Sequence, residues 1–251
     1  MKANRIHVTV AIVFLVSIGV PGCINEFGPV DTDGRLAGDI YGRMLLQDID
    51  STIITDNSGI TITVAGTSRN TMSERNGWWK IVGLKAGTYT LIFSKPGYGT
   101  YKFFGFQHIG GDSLYIGTGY LGNVARFYVD SFTTSVDSDS TVHFAGIMSS
   151  VAPTQYSRYA MVFVDTSGGV SSTHYIASFT SYLGSSKSFS LNYATSELVN
   201  RHGLQHGSQI HCVAYGFNDS FVSAYFDPTL RVTVYPTLSP IASEVATVRL
   251  P

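Results

Sequence analysis

Three histidines lie close enough in the sequence to raise the possibility of a metal site. They are His202, His206 and His211. Zinc sites take histidines from a helix or a rigid hairpin and complete the set with cysteine or carboxylate ligands. Gly203 and Gly207 interrupt this run, and no such ligand stands at a useful spacing. We therefore interpret the three as solvated loop histidines, and the sequence predicts no metal site and no cofactor.

Cys212 beside His211 raises the possibility of a thiol nucleophile with its base. The segment around them alternates like a strand, which places Cys212 with Ile210 and Ala214 on one face and His211 on the other. A thiol without a base on its own face is not activated. The pattern predicts that Cys212 is a buried, inert thiol that packs as a small hydrophobic side chain.

Oxygen ligands occur together in the run from Asp137 to Ser140, Asp-Ser-Asp-Ser. This run lacks the glycine and the distal glutamate of an EF-hand loop, so we interpret it as a turn between strands. The sequence contains no nucleophile elbow, no HExxH motif and no phosphate-binding loop. The sequence does not exclude a catalytic triad whose members meet only in the folded protein, or a pair of carboxylates that hydrolyses glycosides. We predict that the protein is not an enzyme and has no catalytic residues.

Aromatic residues provide the remaining candidates. Neighbouring pairs such as Trp78-Trp79 supply more rings than one strand face can bury, because adjacent strand residues point to opposite faces. Exposed rings can bind sugars or proteins, and we take Trp78, Tyr98 and Tyr101 as candidate ligand contacts. The alternative is that these rings are covered by the second half of the chain or by the polar insertion 47–58.

The N-terminus has the layout of an export signal. Lys2 and Arg5 precede an uncharged apolar run from residue 8 to residue 20. Thirteen residues make about 20 Å of helix, too short for a bilayer core of about 30 Å. The run ends in Val-Pro-Gly-Cys at Cys23, which resembles a bacterial lipobox and implies lipidation of that cysteine. Ordinary signal cleavage that leaves Cys23 as a free thiol is the alternative.

Composition narrows the class of partner. The chain has 251 residues, 16 basic and 17 acidic, and a formal net charge of −1. No surface that would neutralise nucleic acid phosphates is visible, so a nucleic acid partner is excluded. Charged residues make up only 13%, whereas hydrophobic residues reach 44%, enough to build a core.

The elements that would position these residues are short strands separated by turn formers, the pattern of β-sandwiches. One helix is predicted over 195–201, with a hydroxyl cap at its start and a stop at Gly203. The glycine-rich stretch 110–122 is predicted as the boundary between two domains. Strands are predicted over 38–46, 60–66, 78–82, 87–95 and 102–107, and then over 126–134, 141–148, 158–164, 173–179, 188–193, 208–216, 229–235 and 245–250.

The first half resembles the carboxypeptidase regulatory-like domain, a transthyretin-like sandwich of seven strands. The resemblance lies in the segments 59–67, 73–81, 84–91 and 95–98. It implies a spacer, folding aid or recognition module without catalytic residues. Aligned with the family pattern, Trp79 and Ile81 face the core, whereas Trp78 and Lys80 face outwards. Residues 123–251 resemble an immunoglobulin-like or fibronectin-type sandwich only in their pattern of strands.

The sequence thus predicts an all-β protein of two tandem β-sandwiches, transthyretin-like and then Ig/fibronectin-like. Its predicted segments are a signal peptide (1–22), a tether (23–37), the regulatory-like sandwich (38–121) and the Ig-like sandwich (122–251). We expect an exported, non-catalytic lipoprotein that is anchored in the cell envelope, at the outer membrane or cell surface, and supports or recognises other surface molecules. The alternatives are a carbohydrate-binding accessory protein and an unrecognised hydrolase.

Overall fold

The computed structural model describes residues 36–149, 158–218 and 223–251. The signal peptide, Cys23 and nearly all of the tether lie outside these ranges. The described chain forms seventeen strands and one short helix, and the predicted all-β class is confirmed. No helix in these ranges is both long and apolar enough to cross a membrane.

Seven strands form the first region, which we define as β1 to β7. Their bounds are β1 Ala37–Gln47, β2 Thr61–Val64, β3 Asn70–Met72, β4 Trp78–Lys85, β5 Gly87–Ser94, β6 Tyr101–His108 and β7 Leu114–Gly122. They make two sheets, one in the order β4-β1-β7 and one in the order β3-β2-β5-β6. Alternating apolar side chains from both sheets meet in one core, which includes Ile40, Ile62, Trp79 and Leu91.

Ten strands and the helix form the second region. Their bounds are β8 Val129–Val136, β9 Thr141–Met148, β10 Arg158–Asp165, β11 Ala177–Tyr182, β12 Ser188–Ala194, α1 Thr195–His202, β13 Gln209–Asn218, β14 Tyr225–Asp227, β15 Val232–Val234, β16 Leu238–Ala242 and β17 Ala246–Arg249. One sheet has the order β12-β9-β8 and the other β11-β10-β13-β16, with β17 also paired to β13. β14 and β15 form a separate hairpin.

Two sequence predictions need correction. The glycine-rich stretch 110–122 is not merely a boundary, because residues 114–122 form β7, which pairs in parallel with β1. The helix has no hydroxyl cap, because its N-cap residue is Ala194 and Thr195 Oγ1 donates instead to Ser140 O at 2.7 Å. The predicted stop is confirmed, since Gly203 adopts the left-handed conformation at φ 71°.

The two regions touch through aromatic and polar contacts. Tyr101 on β6 meets the ring of Tyr225 edge-on, with the ring centroids 5.7 Å apart. Lys102 Nζ lies 3.5 Å from the buried Asp227 Oδ2. Asn218 Nδ2 donates to Asn123 O at 3.0 Å. The predicted domain limits at 121/122 stay a prediction.

Candidate functional site

Three aromatic rings lie side by side on the outer face of the β4-β1-β7 sheet. Tyr41 comes from β1, Trp78 from β4 and Tyr115 from β7. Their centroids are 6.2 Å apart for Tyr41 and Trp78, 5.4 Å for Tyr41 and Tyr115, and 5.7 Å for Trp78 and Tyr115. We call these three residues the ring cluster. Each ring therefore contacts the other two, and together they form one continuous aromatic surface.

Strand pairing explains why the three rings converge. Tyr41 is the parallel partner of Tyr115, and paired residues in a ladder point to the same face. Trp78 lies opposite Arg43, two residues beyond Tyr41 and therefore on the same face as Tyr41. The central strand thus brings a ring from each edge strand next to its own.

The ring cluster is accessible, whereas the neighbouring tryptophan is not. Trp78 is 38% exposed and Tyr115 45% exposed, but Trp79 is only 4% exposed and belongs to the core. The predicted outward direction of Trp78 and inward direction of Trp79 are both confirmed. The planes of the three rings are tilted against one another by 33° to 45°. Aromatic rings that are grouped on one sheet face and open to solvent are the kind of feature that marks a binding site.

Charged and polar groups lie on the same face. Lys80 Nζ is 2.6 Å from Asp39 Oδ2, and Gly83 N donates to Asp39 Oδ1 at 2.9 Å. The hydrogen bond from Lys80, followed by that from Gly83, lowers the pKa of Asp39. On β7, the hydroxyls of Tyr115 and Thr118 lie 3.0 Å apart. The rings are thus flanked by groups that can donate and accept hydrogen bonds.

A groove runs past two of these rings, Tyr41 and Trp78. It encloses about 570 Å³, a volume in the range of small-ligand sites. Its walls combine aromatic, acidic, basic and hydroxyl side chains: Tyr41, Thr71, Met72, Glu74, Trp78, Trp79, Lys80 and Ser113. The arrangement can hold a ligand that has a flat apolar face and polar edges.

Only one of the three predicted contact residues belongs to the ring cluster. Tyr98 is half-buried against the core of the first region, and burial raises the pKa of its hydroxyl. Tyr101 packs between Phe93 and Tyr225 at the junction of the two regions. The ring partners of Trp78 are instead Tyr41 and Tyr115.

Sequence reasoning missed Tyr41 and Tyr115. The signal for Tyr41 was present, because β1 alternates and Tyr41 follows the inward Ile40. Tyr115 lies within the stretch that was interpreted as a glycine-rich boundary, so its strand was not recognised. Its position beside Tyr41 depends on a parallel pairing between residues more than seventy positions apart.

The cysteine and the histidines are not brought together in one site. Cys212 is completely buried with Ile210 and Ala214, as predicted, and burial raises the pKa of its thiol to about 12. His202 meets the ring of Phe179 edge-on, with the centroids 5.0 Å apart. His206 Nδ1 lies 2.8 Å from Pro251 O. No group of three metal-ligating side chains occurs in the part of the chain that the structure describes.

Asp137 forms a turn between β8 and β9, as predicted. Its Oδ1 accepts hydrogen bonds from Asp139 N and Thr141 N, both at 2.9 Å. Its Oδ2 lies 2.8 Å from His143 Nε2. Both carboxylate oxygens of Asp137 are thus engaged, one by the backbone of the turn and one by a side chain of β9.

A serine, a histidine and an aspartate meet in the loop after β10. Ser167 Oγ lies 3.1 Å and Asp165 Oδ2 3.9 Å from the same nitrogen, His174 Nε2. A hydrolytic triad needs the serine on one ring nitrogen and the carboxylate on the other. This geometry therefore cannot activate Ser167 through His174 and Asp165.

Comparison with known proteins finds one family. The family model of the carboxypeptidase regulatory-like domain matches residues 53–145. The resemblance seen in the sequence is confirmed. The matched range begins after β1, extends into β9 and includes Trp78 and Tyr115. No curated protein matches the chain.

Similar solved structures share little sequence with this chain. A type II cohesin–X-dockerin complex from Acetivibrio cellulolyticus has 18% identity over 35% of this chain, with a TM-score of 0.30, and the chain spans only 58% of that chain. A candidate carbohydrate-binding protein from Bacteroides uniformis has 10% identity and a TM-score of 0.35, covering 86% of this chain and 100% of that one. A DUF3823 family protein from Parabacteroides merdae has the same identity and coverages, with a TM-score of 0.31.

Proposed function

We propose that the protein is a non-catalytic recognition module that binds carbohydrate through the ring cluster. The observation that carries the proposal is the contact of three rings on one open sheet face, with Trp78 and Tyr115 substantially exposed. A sugar ring presents a flat face of C–H groups and a rim of hydroxyls. The aromatic rings can pack against the C–H face of the sugar, and the polar groups beside them can form hydrogen bonds with its hydroxyls.

The polar groups are arranged for such a rim. The pair of Lys80 on β4 and Asp39 on β1 borders Tyr41, and Glu74 lines the same groove as Trp78. Carboxylates accept hydrogen bonds from sugar hydroxyls, whereas an ammonium group donates to them. A largely preformed groove with a few polar groups is the usual construction of a small-ligand site.

A glycan array followed by calorimetric titration tests this proposal. The protein should bind at least one glycan saturably, and Trp78→Ala should remove that binding while the fold is retained. Tyr182→Ala is the matched control, because Tyr182 is also an exposed ring on a strand but lies in the second region, 65% exposed. Equal loss in both variants, or no glycan bound by the wild type, would count against the proposal.

We further propose that the module is exported and attached to the cell envelope through lipid on Cys23. The apolar run that ends at Gly22-Cys23 supports this localisation. Lipid chains contribute about 0.8 kcal/mol per buried CH₂, so several chains hold a protein firmly in a membrane. Metabolic labelling with a fatty acid should label the wild type, whereas Cys23→Ser should be unlabelled and absent from membranes. An unlabelled wild type would contradict the anchor and leave the glycan proposal untouched.

A further inference from the structure

Arg43 is a charged side chain on the same sheet face as the ring cluster. It lies on β1 directly opposite Trp78 of β4, and its partner on β7 is Thr118. Residues that are paired across neighbouring strands have their Cβ atoms about 5 Å apart and point to the same face. Arg43 therefore stands between Trp78 and Thr118, at the border of the ring cluster.

The guanidinium of Arg43 is held through one of its three nitrogens. Nε donates to Asn76 O at 2.8 Å, in the turn that leads into Trp78. Trp78 N donates to Asn76 Oδ1 at 3.0 Å, so the turn is itself fixed beside the indole ring. Among the described residues, Arg43 has no other hydrogen-bond acceptor and no ion-pair partner. Its two terminal amino groups are thus oriented by the turn and remain available to a ligand.

Two terminal amino groups in this arrangement match the two oxygens of a carboxylate. The guanidinium of arginine is a planar fork that binds a carboxylate through two parallel hydrogen bonds. Hydrogen bonds of this charge-assisted kind are stronger than those between neutral groups. A uronic acid carries a carboxylate at the rim of the same sugar ring whose C–H face can pack on aromatic side chains.

The other charged groups on this face leave Arg43 without an anion. Asp39 Oδ2 lies 2.6 Å from Lys80 Nζ, and Asp39 Oδ1 accepts a hydrogen bond from Gly83 N at 2.9 Å. Glu74 lines the groove but forms no ion pair with Arg43. Of the two cations on this face, Lys80 therefore has an anionic partner among the described residues and Arg43 has none.

We propose that the ring cluster binds an acidic sugar whose carboxylate is bound by Arg43. The sugar ring would pack on Trp78 and Tyr41, and its carboxylate would lie over β1. The hydroxyls of Tyr115 and Thr118, 3.0 Å apart, would face the rim of the same sugar. The inference rests on the proposed function, because the ring cluster must hold the sugar. It adds the ligand class, uronic acids over neutral sugars.

Matched pairs of trisaccharides on a glycan array test the inference in the wild-type protein. The two members of a pair share their linkage and differ only in a carboxylate that replaces a CH₂OH group. The β-1,4-linked trimers of glucuronic acid and glucose form one pair, and the α-1,4-linked trimers of galacturonic acid and galactose form another. The acidic member should bind about ten-fold more tightly, the factor expected from charge-assisted hydrogen bonds.

Each outcome of the array decides between the two proposals. Equal binding of the acidic and the neutral member would overturn the inference while the proposed function stands. Binding of sulfated glycans alone, without the uronic acid trimers, would also overturn it. Binding of no glycan at all would contradict the proposed function, and the inference would fall with it.

Substitutions at two arginines locate the bound carboxylate. Arg43→Gln removes the charge and the fork, so it should reduce affinity for the acidic trimer to that for its neutral counterpart. Arg249→Gln is the matched control and should preserve the preference. Arg249 is likewise an exposed strand residue whose Nε donates to a backbone oxygen, Gly207 O at 2.9 Å, but it lies in the second region. A preference that survives in Arg43→Gln, or an equal loss in Arg249→Gln, would overturn the assignment.

The methyl ester of the acidic trimer keeps the inference testable if Arg43→Gln does not fold. Esterification removes the negative charge and leaves the sugar ring and the linkage unchanged. In calorimetric titrations, the wild type should bind the ester about ten-fold more weakly than the acid. Equal affinities for the ester and the acid would contradict a carboxylate bound by Arg43.

Discussion

Both regions carry an aromatic cluster on the outer face of a sheet, but only one of the two clusters is covered. In the second region the outward residues of β10 and β13 include Met161, Phe163 and Phe217, and all three are buried. The chain itself covers them, because Tyr235 packs against the rings of Phe163 and Phe217 on this face. In the first region no described segment buries Trp78 or Tyr115 in this way. Covered rings stabilise the fold, and uncovered rings are available to a ligand.

The residue patterns of the strands reflect the same difference between a covered and an uncovered sheet face. β10 and β13 are apolar on both faces, with Val162 and Ala214 facing one core and Phe163 and Val213 the other. β4 alternates instead between buried and exposed residues. A strand that is buried on both faces reads as a continuous apolar run, whereas alternation marks a face left to solvent.

The largest change that tests the difference between the two regions is a truncation that removes the second region altogether. Residues 35–121 should fold alone, because the core of the first region lies entirely between Ile40 and Leu121. A domain of this size has only a small margin of stability, and the contacts of Tyr101 and Lys102 with the second region would be lost. Circular dichroism should show a cooperative thermal transition. A fragment without one, beside a mature chain that has one, would mean that the first region depends on the second.

Removal of a covered ring should have the largest effect of any single substitution. Phe163 has no exposed surface and contacts the rings of Tyr175, Tyr215 and Tyr235. Phe163→Ala should lower the free energy of unfolding by about 3–5 kcal/mol through lost burial and a cavity. Trp79→Ala should have a similar effect in the first region. Urea melts measure both, and a loss below about 1 kcal/mol would place these rings outside the cores.

Alkaline pH should weaken the covered cluster. Burial, followed by the neighbouring Tyr235, raises the pKa of Tyr175 to about 12, and its hydroxyl donates to Thr233 O at 2.7 Å. The unfolded chain has a tyrosine pKa of about 10, so it loses this proton first. The contribution of Tyr175 to stability is therefore complete below pH about 10 and lost as the pH rises towards about 12.

Urea melts at several alkaline pH values should show this loss in the wild type and a smaller one in Tyr175→Phe. The difference between the two proteins isolates Tyr175 from the other tyrosines. If the free energy of unfolding depended on pH identically in both proteins, the hydroxyl of Tyr175 would not be buried in the fold.

Removal of an uncovered ring should have the smallest effect on stability. Trp78→Ala should change the free energy of unfolding by less than about 1 kcal/mol, as surface substitutions usually do. The expected value is not zero, because Trp78 contacts both tyrosines of the ring cluster. A loss as large as that of Trp79→Ala would mean that another part of the protein covers Trp78.

Local pattern accounts for much of what the sequence could predict. Alternation predicted the strand over 141–148 with its observed limits and placed Cys212 in a core, and the family pattern placed Trp79 in one. It failed at β7, where Gly117 and Gly119 break the apolar pattern that identifies a strand. Gly119 has a tertiary cause, because a Cβ there would meet Met44 Sδ at 2.6 Å, whereas Gly117 has a backbone cause, a φ of 105°.

The candidate site was predictable only in part for the same reason. The outward direction of Trp78 follows from alternation within one strand together with the family pattern. The contact between Tyr41 and Tyr115 follows instead from a parallel pairing between distant strands. Local periodicity carries no information about which strands become neighbours. The cover over Phe163 likewise comes from a segment far along the chain, so sequence alone could not show which aromatic cluster stays open.

The most direct test of the central claim is calorimetric titration of wild type and Trp78→Ala with a glycan that the wild type binds, beside urea melts of the same two proteins. The uncovered ring cluster predicts that Trp78→Ala loses binding at least ten-fold while its unfolding midpoint stays close to that of the wild type. Unchanged glycan affinity in a folded Trp78→Ala would contradict the claim that these rings form the binding surface.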